Sequence, residues 1–168
     1  TEKLEYIPDE QHHAYRKYDK LYMIDVDGTN CRLIDHVLIH DKEIDRPQFS
    51  YNGSRIIFSA KGKNEYWTIY EYDRDEKTIT RLFEPKADCL RPAYSPDDRY
   101  IAYVTRFYNH NEIVIYDSEN PDRIIYLTNN DFSDDYPVWA PVYDEEIQSD
   151  IIGIKSKIAF VSKPDFKE

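Results

Sequence analysis

The histidines are the first place to look for chemistry in this chain. His36 and His40 stand in the stretch DHVLIHDKE together with Asp35, Asp41 and Glu43. Two imidazoles among carboxylates are donor types that a divalent metal accepts. Spacing of i,i+4 aligns two imidazoles only on a helix, and this connection is short and shows no capping residue. The stretch therefore reads as a solvated loop with Val37 and Leu38 packed inward, and His36 and His40 remain weak metal candidates. His12 and His13 lie in a tail-like region, and His110, in FYNHNE, sits at a predicted hairpin tip where exposure is expected rather than catalysis.

Other chemistries lack their signatures. The four glycines, Gly28, Gly53, Gly62 and Gly153, are dispersed and build no phosphate-binding loop. There is no Gly-x-Ser-x-Gly elbow and no Cys/His pair in a supporting context. The segment DFSDD lacks the glycine that a calcium loop needs at its sharp turn. Carboxylate pairs abound, but in a chain with 33 acidic and 22 basic residues abundance singles out no acid or base. No catalytic constellation and no cofactor are expected.

The bulk composition narrows the partners. A net charge of −11 argues against non-specific binding to nucleic acid or anionic membranes, because the long-range field repels both. No stretch approaches the roughly 18 apolar residues of a membrane span, so no membrane insertion is expected. Aromatics make up 15% of the 168 residues, which favours a packed core over disorder. Cys31 and Cys89 fit neither a disulfide scaffold nor a zinc site and are expected to be unpaired. The chain begins at Thr1 without methionine, as expected of a removed leader or an excised piece.

The elements that would carry a site are written as a repeat. RPQFSYNGSRIIFSA (46–60), RPAYSPDDRYIAYVT (91–105) and YPVWAP, continuing to IAFVS at 162, share one plan. A proline (Pro47, Pro92, Pro137) precedes an aromatic two residues on (Phe49, Tyr94, Trp139), then a small residue, a turn and an apolar strand. The prolines recur every 45 residues. The pre-proline residue is expected to be extended, and the proline to take a first or edge position of a strand, where its missing N–H is harmless. Between these segments, LYMIDVDGTNCRLI (21–34), TIYEYDRDEKTITRLF (68–83) and IVIYDSENPDRIIYLT (113–128) read as hairpins. Each has a strand ending in aspartate (Asp25, Asp73, Asp117), expected to cap turn backbones. Four short strands recurring at about 40 to 50 residues are the mark of propeller blades. The predicted class is all-β, a β-propeller of four-stranded antiparallel blades with about three blades' worth in this chain.

The same residues resemble a known family. FSYNGSRIIFSA, YSPDDRYIAYVT, IYEYD and IVIYDSENPDRIIYLT look like the PD40 (WD40-like) repeats of TolB-type β-propellers, over residues 20 to 162. Tyr51-Asn52-Gly53 stands where that pattern has Pro-Asp-Gly, Asp98 replaces its glycine in the second copy, and Ala140-Pro141-Val142 departs in the third. The predicted organisation is a tail or degenerate strand over 1–19 and a repeat domain over 20–168. Its units lie near 21–34, 47–83, 92–128 and 137–162, with an insertion at 142–155. About three blades fall short of the roughly four to eight of a closed ring, so the chain is expected to be part of a longer propeller or half of a homodimeric ring.

The resemblance implies a non-catalytic module that binds a protein or peptide, in an extracytoplasmic setting. Two alternatives stay open: the accessory propeller of a prolyl-oligopeptidase-like peptidase, or a propeller enzyme such as a polysaccharide lyase with a metal site. Connections 34–46, 84–91 and 128–136 and hairpin tips 61–66 and 106–111 are predicted to share one face, the usual place for binding. The candidates there are Asp41, Asp45, Asp88, Phe107, Tyr108, His110, Asp131, Phe132, Asp134 and Asp135, with Tyr143 in the insertion.

Overall fold

The computed structural model describes residues 18–107, 110–141 and 156–164. Twelve strands form four antiparallel sheets among the described residues. Strands β1 (Leu21–Met23) and β2 (Arg32–Ile34) pair as a two-stranded sheet. β3 (Glu43–Phe49), β4 (Arg55–Lys61), β5 (Thr68–Asp73) and β6 (Thr78–Arg81) form a complete blade. β7 (Cys89–Tyr94), β8 (Tyr100–Phe107), β9 (His110–Asp117) and β10 (Ile124–Tyr126) form the second. β11 (Phe132–Trp139) pairs with β12 (Ile158–Pro164) as a half-blade. The architecture is a partial, open propeller.

Period-two alternation explains how the sheets stack. On β4, Ile56 and Phe58 face the β1–β2 sheet and join Leu21, Met23 and Ile34 in one core. Ile57, pointing the other way, joins Tyr94, Ile101, Tyr103 and Val114 of the second blade. On β8 the pattern repeats, with Ile101 and Tyr103 facing back while Tyr100 and Ala102 face Trp139. Strands covered on both sides must be apolar along their whole length, and Ile56 to Ala60 are all buried.

The repeat proline sits differently from the expectation. β3, β7 and β11 are edge strands of their sheets, as a proline requires, but each begins several residues before it. In every copy the pairing register jumps across the proline, between Asp45 and Gln48, Leu90 and Ala93, and Asp135 and Val138. Two residues on this edge strand, which is the inner strand of its blade, face one on its neighbour, which is a β-bulge. The residue before the proline is not extended: φ is 53° at Arg46, 53° at Arg91 and 58° at Tyr136. The bulge takes the proline out of the ladder, and the left-handed residue before it absorbs the extra length.

The turns after the aromatic lock neighbouring blades together. Gly53 (φ 73°) and Asp98 (φ 59°) occupy the same left-handed position of two equivalent turns. Ser50 and Ser95 each hold their turn through Oγ, accepting the N–H of Arg55 and of Tyr100, both at 2.9 Å. Asp98 has a reason to stand where glycine is easier. Its carboxylate accepts the N–H groups of Tyr51 and of Asn52 (3.0 Å) in the preceding blade's turn. Trp139 adds an inter-blade bond, its Nε1 donating to the Ala93 carbonyl at 3.0 Å.

Replacing Asp98 tests the balance between strain and inter-blade bonding. Asp98→Gly removes the left-handed penalty but leaves two amides unpaired, so it is expected to destabilise by ~1–2 kcal/mol. Asp98→Ala keeps the penalty as well and should lose ~1 kcal/mol more. Urea denaturation checks the order; a glycine variant as stable as the parent would show that the two bonds contribute nothing net.

Candidate functional site

The strand order sends the starts of β3, β5, β7, β9 and β11 and the ends of β4, β6, β8 and β10 to one end of the blades. At that end a cavity of about 690 Å³ opens between the two complete blades, walled by Tyr66, Phe83, Cys89, Tyr103 and Tyr126. Phe83 anchors the wall, its ring centroid 5.4 Å from both Tyr103 and Tyr116. Asp88 holds the rim: its Oδ1 accepts the Trp67 N–H at 3.0 Å and its carbonyl accepts the Arg106 N–H at 3.1 Å. Burial pushes the Cys89 thiol up to about 12 and the Tyr103 phenol well above its usual range, so both stay protonated. The thiol and the phenol therefore carry no charge, and the charged groups in the lining are Glu84, Lys86, Asp88 and Arg106. Exposed Lys86 and Arg106 stand at the mouth, where Glu84 is already paired with Arg81.

A second constellation lies on the inner strands. The three pre-proline residues converge, with the Arg91 guanidinium 4.5 Å and the Arg46 guanidinium 5.0 Å from the ring centroid of Tyr136. Arg91 Nη1 pairs with Asp135 at 2.6 Å, and the Arg91 N–H donates to Ser59 Oγ at 3.1 Å. Arg46 is exposed and, among the described residues, forms no ion pair. These three residues were not singled out from the sequence. Their signal was the column one step before each repeat proline, Arg, Arg and Tyr at a spacing of 45.

The residues expected to bind are dispersed. Asp88 lines the inter-blade cavity, while Asp41, Asp131 and Phe132 are exposed and Asp45 is half-buried. Asp134 and Asp135 are not displayed: both are buried, because β11 starts at Phe132 and draws them into the strand. Asp134 accepts from Asn130 Nδ2 at 2.8 Å, and Asp135 is the partner of Arg91. His110 is half-buried at the start of β9. Phe107 ends β8, while Tyr108, Tyr143 and the insertion 142–155 lie outside the described residues. So do the tail residues 1–17, including His12 and His13.

The DHVLIHDKE stretch differs from a plain loop. Val37–Ile39 form one 3-10 turn, and His36 caps it, its Nδ1 accepting the Leu38 N–H at 3.3 Å. Val37 and Leu38 are exposed and Ile39 is the buried residue, since a turn of three residues directs only one side chain to the core. His40 pairs with Asp35 at 2.6 Å. Among the described residues no group of three or more His, Cys, Asp or Glu side chains is placed to hold a metal.

The repeat aspartates stand at the opposite end of the blades. Asp73 Oδ1 accepts the N–H groups of Asp75 and Glu76, both at 2.9 Å. Asp117, fully buried, accepts Arg99 Nε at 3.0 Å, Arg99 Nη2 at 2.9 Å and the Glu119 N–H at 3.1 Å. Asp25 accepts the side chain of Asn30 at 2.6 Å.

No family model matches the chain, and no curated protein does. Solved structures do. TolB of Agrobacterium tumefaciens superposes with a TM-score of 0.67 at 22% identity, over 90% of this chain and 48% of that one. TolB of Acinetobacter baumannii gives 0.57 at 18% identity, over 68% and 28%. The tricorn protease gives 0.54 at 17%, over 89% and 16%. The chain thus spans about half the length of the first structure and less of the others. At these identities the likeness shows a shared propeller-type fold, found in TolB and in a protease alike.

Hydrogen bonds from Arg99, ahead of the charge itself, hold the Asp117 carboxyl down from 3.8 to about 2. A depressed carboxylate contributes stability above its unfolded value and loses it as pH falls through the folded one. Between pH 4 and pH 2 the chain should therefore lose ~2 kcal/mol through this group. Asp117→Asn should be less stable at pH 7 and show a flatter acid limb; equal slopes in urea melts across that window would refute the assignment.

Proposed function

We propose that this chain is the binding part of a β-propeller, non-catalytic in itself, which takes a protein or peptide partner at the loop end of its blades. The observation that carries this reading is the aromatic-walled cavity between the two complete blades. An apolar pocket of a few hundred Å³ on a rigid scaffold is suited to one buried anchor side chain, the feature that dominates protein interfaces. Lys86 and Arg106 at its mouth favour an acidic residue beside that anchor. The fold shared with TolB supports the reading, and resemblance to TolB-type repeats supports an extracytoplasmic setting for the partner.

Selection of short random peptides against the full chain tests this. The peptides recovered should share an aromatic or aliphatic anchor flanked by Asp or Glu. Ala87 lines the cavity, and Ala87→Trp should fill it and reduce their affinity by about tenfold or more, at unchanged melting temperature. Peptides that bind Ala87→Trp as well as the parent would overturn the proposal.

A further inference from the structure

The cluster on the inner strands asks for a ligand of different chemistry. Arg46, Arg91 and Tyr136 each have a left-handed backbone without being glycine, at the same step of three repeats. Such a conformation costs roughly 1–3 kcal/mol per residue and tends to persist where the side chain it aims has a task. What the bulge aims here is two guanidinium groups at one tyrosine ring.

The two guanidinium groups differ in how they are held. Arg91 and Asp135 neutralise each other at 2.6 Å. Arg46 adds a positive charge that no described carboxylate pairs with; its neighbour Asp45 forms no ion pair with it, and Glu43 reaches toward Lys61 instead, at 3.9 Å. Arg46 and Tyr136 are exposed, so the unpaired guanidinium faces solvent. A guanidinium fork flattened against an aromatic ring leaves its edge N–H groups free to take two oxygens side by side.

We propose that Arg46, Tyr136 and Arg91 form a carboxylate-binding site on the inner strands, with Arg46 the principal cation, for an acidic group of a bound peptide. A polyanion is disfavoured, because the chain's net −11 would repel every further charge it carries. One carboxylate on an otherwise neutral segment meets little of that repulsion. The peptide nature of the ligand rests on the function proposed above; the carboxylate chemistry rests on the cluster alone.

The test uses the full ¹⁵N-labelled chain and follows arginine Nε–Hε resonances by NMR. Four probes are compared: a capped peptide with one glutamate, its glutamine twin, the glutamine twin with a free C-terminal carboxylate, and inorganic phosphate. Either carboxylate peptide should shift the Arg46 and Arg91 resonances, and whichever binds more tightly identifies a side-chain or C-terminal source. Arg46→Gln keeps the bulge and the exposed position, and should weaken that binding by about tenfold or more. The site is overturned if the neutral twin shifts the same resonances equally, if Arg46→Gln binds as the parent does, or if phosphate saturates them at lower concentration. In Ala87→Trp the response should persist, so failure of the cavity and failure of this site are read separately.

Discussion

Burial of each blade between two neighbours is the constraint on which the rest of this structure depends. The repeat aromatic shows it most directly. Tyr94 and Trp139 are 4% and 8% exposed, because each follows a complete blade whose inner strands it packs against. Phe49 occupies the same position, yet is 49% exposed, because the sheet before it has only the strands β1 and β2 among the described residues. Arg74 lies over its ring, at 5.7 Å. The same residue type at the same step of the repeat is core or surface according to what stands beside it. Stability here is a nearest-neighbour property, as expected of a repeat fold.

That constraint decides how each end of a blade is used. At the end that carries the tight turns, polar groups face polar groups: Asp98 on the turn of the preceding blade, Asp117 on Arg99, Asp73 on its own turn amides. Asp98 and Asp117 use both carboxylate oxygens in these bonds, and Asp73 uses its Oδ1. At the opposite end, Asp88 is engaged with Trp67, but the surface around it is an aromatic-walled concavity whose lining also includes Lys86 and Arg106. Function is therefore sought at the loop end and on the inner strands, not where the aspartates are densest.

Much of this was legible in the residues themselves. The spacing of Pro47, Pro92 and Pro137 marks the inner strands, the apolar runs mark strands covered on both faces, and Asp98 stands out as a departure from the repeat's glycine. The rest depends on geometry that no local pattern encodes. An extended pre-proline residue is the intrinsic preference, and the bulge overrides it at Arg46, Arg91 and Tyr136. Asp134 and Asp135 look like loop acids until β11 is seen to start at Phe132. The cavity joins Tyr66, Phe83, Tyr103 and Tyr126, residues spread over 60 positions of sequence and united only by the docking of two blades.

The proline and the arginine of the inner strand are two consequences of one event. Proline cannot donate to the ladder, and in all three copies its edge strand is bulged there, with the residue before it absorbing the extra length. That residue leaves the alternation that sends its neighbours into the cores between blades. A side chain at that step belongs to none of the cores between blades, which is why Arg, Arg and Tyr are tolerated there. The repeat thus builds one such position per copy, held on an edge strand by the bulge. Where two of these positions are arginine and the third is an aromatic ring for them to lie against, the Arg91 guanidinium is held by Asp135 and that of Arg46 is exposed, with no ion pair among the described residues.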